Sequence, residues 1–291
     1  MKISKLIHTT LNGIGLLLII VVLTIMMKVF LFASFKIPTP SMAPAIMDGD
    51  YILVNKLAMG PRIFENWGFM NGEKTKMKRI RGCSKVKRND VLVFDFPYKP
   101  NASDEIKQGG NLFYVKRCVA IPGDTFYIEN GIYKVKGINE RIGHVERQRE
   151  LAGRDVTSFS LELRHTFPKD TVHYPWTIKD FGPLYVPAQG NNIQIDSLSI
   201  ILYENLIEYE TGKAITVENG IVRLCNTELT NYTFQQDYYF MAGDWIFDSV
   251  DSRYWGLLPD DLVIGKASLI WKSQDMITNK YRWNRFFKTI K

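Results

Sequence analysis

From Leu6 to Met27 the chain carries 22 residues without a formally charged side chain, His8 counted as neutral, and GIGLLLIIVVLTIMM within it is continuously apolar. A helix of that length crosses about 30 Å of hydrocarbon, so whatever else the chain forms hangs from one end of a membrane span. A cleaved export signal is the competing reading, because Lys2 and Lys5 make a basic start. The apolar core of such a signal, however, is only roughly 7 to 15 residues, and the length here favours an uncleaved anchor. Lys28 falls at the far end, where its stem lies along the apolar segment and its ammonium reaches headgroups. Lys2 and Lys5 on the short flank predict a cytoplasmic amino terminus, which puts everything after about Phe35 outside.

Beyond the anchor no second apolar run approaches 18 residues and no repeat is visible, so the rest is one body on one anchor. Of 291 residues, 46% are hydrophobic and 23% charged, which supplies a core and excludes a disordered chain. The net charge of +7 suits nucleic acid, an anionic membrane or plain solubility, and does not choose among them. Cys83, Cys118 and Cys225 form no CxxC pair, and His8, His144, His165 and His173 are scattered. A zinc ribbon, a disulfide scaffold and an HExxH site are therefore excluded, and neither metal nor cofactor is expected.

The body reads mostly as strands: YILVNKL (51–57), DVLVFDF (90–96), LFYVKRCVAI (112–121), TFYIENGIYKV (125–135) and YTFQQDYYFMAG (232–243). The ENG in TFYIENGIYKV and in ITVENGIVRL, with apolar alternation on both sides, predicts hairpins with tight turns. Residues 137–231 look like a separate lobe, mixing a charged segment with a short helix near Ser197 to Glu208.

Two segments carry candidate chemistry. In FKIPTPSMAPAIMDGDYILVNK, Pro38 and Pro40 flank Thr39 and hold the chain extended before Ser41, which presents a hydroxyl as a candidate nucleophile. The same letters also suit a proline-rich loop tying anchor to body. In YVKRCVAIPGD, Lys116 sits inside an apolar strand whose alternation can turn it into a low-dielectric region. A desolvated lysine gives up its proton and can then take one from a serine hydroxyl, without histidine or aspartate. A surface lysine paired with an acid is the plain alternative for that strand taken alone.

These segments, with KRNDVLVFDFP (87–97) and GDWIFDSVDSRYWGLLP (243–259), resemble bacterial type I signal peptidases in order and spacing. The likeness covers roughly 35–136 and 232–272 and implies a mainly β fold. It predicts an antiparallel β-sheet catalytic domain of signal-peptidase type with an inserted second lobe, preceded by one transmembrane helix. It further implies that Ser41 is the nucleophile, Lys116 the general base, Ser249 the serine that orients the lysine, and Thr39 an oxyanion donor beside the Ser41 N–H. Asp251 and Arg253 match a structural ion pair, and Phe35, Ile37, Pro38, Ile52, Tyr114 and Val115 match the walls of shallow pockets for small residues. One departure stands out: the family usually has GDNR, whereas Gly243 and Asp244 are followed here by Trp245 and Ile246.

The expected organisation is a cytoplasmic flank (1–10), an anchor (11–34), a catalytic β domain (35–136 and 232–272), an inserted lobe (137–231) and a basic aromatic tail (273–291). The expected activity is removal of signal peptides after Ala-x-Ala by a Ser/Lys dyad, at the outer, periplasmic side of a bacterial inner membrane. The partners expected are exported preproteins carrying signal peptides, membrane lipid and, as a further candidate, the secretion machinery, with no nucleic acid. Trp245 and Ile246 motivate the alternative, a weak or inactive homologue acting as a membrane-anchored binding module. In NKYRWNRFFKTIK, aromatic and cationic residues alternate as at a headgroup interface, or as in a packed or frayed terminus.

Overall fold

The computed structural model describes residues 2–64, 77–98, 105–106 and 112–290, with the backbone alone for residues 2–10, Phe64 and Glu162. The side chains of Lys2 and Lys5, on which the expected orientation rests, thus lie outside the described residues. The apolar run forms a helix, Lys2–Met26, and Leu11–Leu31 is long and apolar enough to cross a membrane. Among the described residues nothing in the body packs over it, and Leu16, Leu17 and Leu18 are each about 60% exposed. Every Å² of that apolar surface costs about 25 cal/mol in water, a cost that hydrocarbon removes. The chain is a membrane-anchored β protein.

The helix loosens into a single π turn, Met27–Leu31, and passes straight into the strand Phe32–Lys36. Lys56 Nζ donates to the carbonyls of Lys28 (2.9 Å) and Val29 (3.1 Å), satisfying acceptors that the end of a helix leaves open. Phe32–Lys36 is an edge strand of the main sheet. It pairs with Asp50–Asn55, which pairs with the long strand Val263–Ser273, followed in order by Val91–Asp95, Phe113–Ala120, Tyr238–Ala242 and Leu258–Pro259. Every pairing in this sheet is antiparallel, and Lys288–Thr289 adds to the end of Val263–Ser273. Alternation is clean in Asp50–Asn55, while Val91–Asp95 is buried on both faces, as its unbroken apolar run requires.

Both expected hairpins form. Thr125–Glu129 pairs with Ile132–Val135 across Asn130 and Gly131, and Ile215–Glu218 with Ile221–Leu224 across Asn219 and Gly220. All four turn residues have positive φ, the left-handed geometry that asparagine and glycine tolerate best. The helix anticipated near Ser197 to Glu208 runs from Ser199 to Thr211. YTFQQDYYFMAG is not one strand, however. Asn231–Thr233 pairs with Asn192–Gln194, and Tyr238–Ala242 enters the main sheet separately. Glu210 divides them by accepting hydrogen bonds from the Gln235 and Gln236 amides and from the Tyr232 and Tyr238 hydroxyls.

Two apolar clusters hold the body. The smaller packs Ile37, Met42, Ile46, Ile52, Val54, Val93 and Ile270 under the serine segment. The larger runs without a break from Leu92 and Phe94 in the sheet to Leu206 and Ile207 on the helix Ser199–Thr211. Phe126 stacks on Phe240 at 4.3 Å and Phe181 meets Phe240 edge-on at 5.4 Å, joining residues from 137–231 to the main sheet.

Candidate active site

Ser41 opens a tight turn that its neighbours pin down. The Ala43 N–H donates to Pro40 O (2.7 Å) and the Ile46 N–H to Met42 O (2.9 Å), while Met42 and Ile46 are sunk into the smaller cluster. Burying two such side chains contributes roughly 1.5–3 kcal/mol each, enough to fix the turn. Beneath it, Arg285 grips Asp50 through Nη2 (2.6 Å) and Nε (3.1 Å) and also donates to Ala45 O (3.1 Å). Nothing in the sequence pattern couples residue 285 to the serine segment, and this brace was missed.

Lys116 lies in Phe113–Ala120 opposite Leu92 and is 4% exposed. Its Nζ stands 2.5 Å from Ser41 Oγ, joining positions 75 residues apart. Burial is the main cause that lowers the Lys116 pKa to about 8; the Asp251 carboxylate works against it and the Arg253 guanidinium with it. Among the described residues the Ser41 N–H has no hydrogen-bond partner, and the exposed Thr39 hydroxyl has none either.

Ser249 is buried, but its hydroxyl donates to Asp251 Oδ2 (2.7 Å), and no hydrogen bond joins it to Lys116 among the described residues. Asp251 and Arg253 form a fully buried pair: Arg253 Nε donates to Oδ1 and Nη2 to Oδ2, both at 2.8 Å. Burial pushes the Asp251 carboxyl up, yet Arg253, the Gly243 N–H and Ser249 together hold it below its ordinary value. Removing one member of such a pair costs about 3–5 kcal/mol, because a bare charge stays inside. Gly243 is wedged between the two serines: a Cβ there would lie 2.1 Å from Ser249 Oγ and 2.7 Å from Ser41 O. The reason for glycine at 243 is contact, which the motif alone did not reveal.

The unusual Trp245 and Ile246 occupy opposite environments. Ile246 is 1% exposed in the larger cluster, while the Trp245 N–H donates to Ser41 O (3.1 Å) and its ring lies under Arg147. Asp244 keeps a buried bidentate contact with Arg117, at 2.7 and 2.6 Å.

The six expected pocket residues divide between the two apolar clusters and the surface. Ile37 and Ile52 are 5% and 0% exposed within the smaller cluster, where Phe35 and Val115 pack half-buried against them. Tyr114 stacks on Phe96 at 4.4 Å in the other cluster, with its ring 5.6 Å from Lys116 Nζ, and Pro38 is exposed. A feature not anticipated is a second open edge. Along Phe113–Ala120, Tyr238–Ala242 reaches only Arg117–Ala120, which leaves 113–116 unpaired on that side among the described residues. Phe35 on the edge strand meets Phe113 at 5.2 Å, so the two open edges adjoin.

No group of three or more His, Cys, Asp or Glu residues that could hold a metal occurs among the described residues. Chemically, the arrangement brings a serine hydroxyl to a buried amine of lowered pKa, close to extended backbone with an open side. Comparisons with known proteins point to one family. The chain is 28% identical over 269 residues to "Signal peptidase I" of Buchnera aphidicola subsp. Acyrthosiphon pisum, covering 87% of this chain and 72% of that one. The corresponding protein of Pseudomonas aeruginosa is 25% identical over 272 residues (86% and 68%), and that of Helicobacter pylori 24% over 302 residues (93% and 89%). The family described as signal peptidase, peptidase S26, matches residues 10–272, from within the anchor to the end of the long central strand. With both open edges, Ser41 and Lys116 inside that span, the chain belongs to the S26 signal peptidase family.

Proposed function

We propose that this chain is a membrane-bound serine endopeptidase that removes signal peptides from exported preproteins, cutting after small residues of the Ala-x-Ala type. The observation that carries the reading is the 2.5 Å approach of a buried lysine, with its pKa near 8, to Ser41 Oγ. Neutral Lys116 takes the Ser41 proton as Oγ attacks the scissile carbonyl. The resulting oxyanion is met by the Ser41 N–H and the Thr39 hydroxyl, donors whose value lies in the transition state. Collapse breaks the C–N bond, and the Lys116 ammonium returns its proton to the departing amine. Lys116 then deprotonates a water that attacks the Ser41 ester, and its proton goes back to Ser41 as the ester breaks. Ser249 serves the site through Asp251 and Gly243.

An extended peptide lying between the edge strand Phe32–Lys36 and the open side of 113–116 would bind by backbone pairing, leaving small-residue preference to the cleft walls. The outer face of a bacterial inner membrane suits this substrate, with lipid and the secretion machinery as neighbours. An inactive binding module remains the second reading because of Trp245 and Ile246. Both are accommodated without disturbing the Lys116 to Ser41 contact, which favours the enzyme. The test is incubation with a preprotein whose signal ends in Ala-x-Ala, with product masses read directly. Cleavage after the second alanine, lost in Ser41→Ala and in Lys116→Ala, is the expected result. An uncut preprotein, or a Ser41→Ala protein that still cuts, would overturn it.

A further inference from the structure

The loop from Gly243 to Asp251 alternates between two sides. Asp244 and Ile246 point into the body, where they are 1% exposed, while Trp245 and Phe247 face residues of the inserted segment. The Arg147 guanidinium lies 4.0 Å from the centre of the Trp245 ring, and that of Arg154 lies 4.1 Å from the centre of the Phe247 ring. Phe159 stacks on the same Phe247 at 6.1 Å.

The platform carrying these arginines is itself fixed. In the helix Val145–Ala152, Gln148 is 1% exposed, accepts from the Tyr133 N–H (3.0 Å) and donates to Ile142 O (2.6 Å). Just before it, the Gly143 N–H donates to Asn89 Oδ1 (2.8 Å), and Asn89 Nδ2 donates to Arg141 O (2.9 Å). Asn89 adjoins the strand Val91–Asp95, so the helix is mounted on the main sheet independently of the loop it touches. Glu150 holds Arg147 from the same helix at 2.7 Å, which limits the guanidinium's freedom.

The Trp245 backbone reaches the site directly, its N–H donating to Ser41 O at 3.1 Å. The ring that lies under Arg147 and the amide that holds the Ser41 carbonyl thus belong to one residue.

We propose that Arg147 and Arg154 are positioning residues for the reaction. They clamp Trp245 and Phe247, and through the Trp245 amide they keep Ser41 at the height where Lys116 reaches its hydroxyl. This rests on the Ser41/Lys116 reading given above. Trp245 is thus a handle by which the inserted segment governs the nucleophile, which gives the departure from the usual polar residue a purpose.

The full chain in detergent micelles is assayed on an Ala-x-Ala preprotein as wild type, Arg147→Ala, Arg147→Lys and Arg147→Met. Amide exchange of the peptide spanning 241–251 and the melting temperature are followed in parallel. Losing the stacked cation is expected to lower kcat roughly tenfold while KM stays within about twofold, because the group lost touches no substrate. Exchange in 241–251 should quicken with melting unchanged, and Arg147→Lys should restore kcat where Arg147→Met does not. Arg154→Ala should add to the loss. An unchanged kcat in Arg147→Ala, a fall matched by a general drop in melting temperature, or equal rescue by methionine overturns the clamp. If the wild type cuts no preprotein, the peptidase reading falls, and exchange in 241–251 still decides whether Arg147 holds the loop.

Discussion

Lys116 Nζ meets Ser41 Oγ at 2.5 Å inside the protein, and the carboxylate nearest in effect, Asp251, is already committed to Arg253 and Ser249. The amine is left to the hydroxyl. A lysine so placed spends much of its time neutral at moderately alkaline pH.

Cleavage should therefore rise with pH along a limb centred near 8, the pKa to which burial lowers Lys116. Below that value the ammonium dominates and cannot accept the serine proton; above it the neutral base is in excess. The profile of kcat/KM measures this limb for the free enzyme. A limb near the ordinary lysine value of 10.5 would place the amine in water.

Lys116→Met should unfold at higher temperature than the wild type at pH 7. The folded pKa lies below the unfolded one, so the charged form costs stability, fully below about pH 8 and no longer above 10.5. Methionine removes that cost, for a gain of about 1–3 kcal/mol at pH 7 that fades as pH approaches 10.5. Thermal unfolding in detergent at several pH values measures it; an equal difference at all pH values would assign the change to packing.

Gly243→Ala should damage the site more than the change of one methyl suggests. The new Cβ would have to displace Ser249 Oγ or the Ser41 carbonyl, now 2.1 and 2.7 Å from its position. Shifting the nucleophile by an ångström costs on the order of 10² in kcat, and overpacking costs about 1–3 kcal/mol of stability. Steady-state kinetics with a melting curve separates the two effects.

The tail is packed rather than frayed: Lys288–Thr289 pairs with the central strand, and Arg282 and Arg285 turn inward to Asp275 and Asp50. Only part of the expected headgroup mixture faces out, namely Trp283 (71% exposed), Phe287 (70%) and Tyr281 (47%), with Lys280 and Lys288 beside them. A protein lacking residues 1–31, which keeps the edge strand whole, should still bind anionic vesicles at low salt. Changing Tyr281, Trp283 and Phe287 to serine should abolish that binding in a flotation assay. Retention by the triple variant would move the contact elsewhere.

The anchor, the main strands and both ENG hairpins were legible because each depends on neighbours within a few residues. Ser41 and Lys116 were legible as candidates, but their meeting depends on the register that sets Lys116 opposite Leu92 and on the turn pinned by Met42 and Ile46. Pocket walls were harder. Alternation marks a residue as inward but not which cluster receives it, and Tyr114 went to one while Ile37 and Ile52 went to the other. Glu210 broke an apparent strand from 25 residues away, and Arg285 braced the serine turn from 240, separations that no local pattern encodes.

The direct passage from the π turn Met27–Leu31 into the edge strand Phe32–Lys36 turns the anchor into a gauge. No slack separates lipid from sheet, and Lys56 bolts the junction by holding the carbonyls of Lys28 and Val29. Ser41 follows within ten residues of Leu31, so its height above the bilayer is a built-in length, at most about 3.5 Å per residue. On the proposed function, a substrate whose own apolar segment sits in the same bilayer would be measured as well as read. An Ala-x-Ala placed too deep or too far out would miss the nucleophile whatever its sequence, and inserting residues after Leu31 would move the preferred cut.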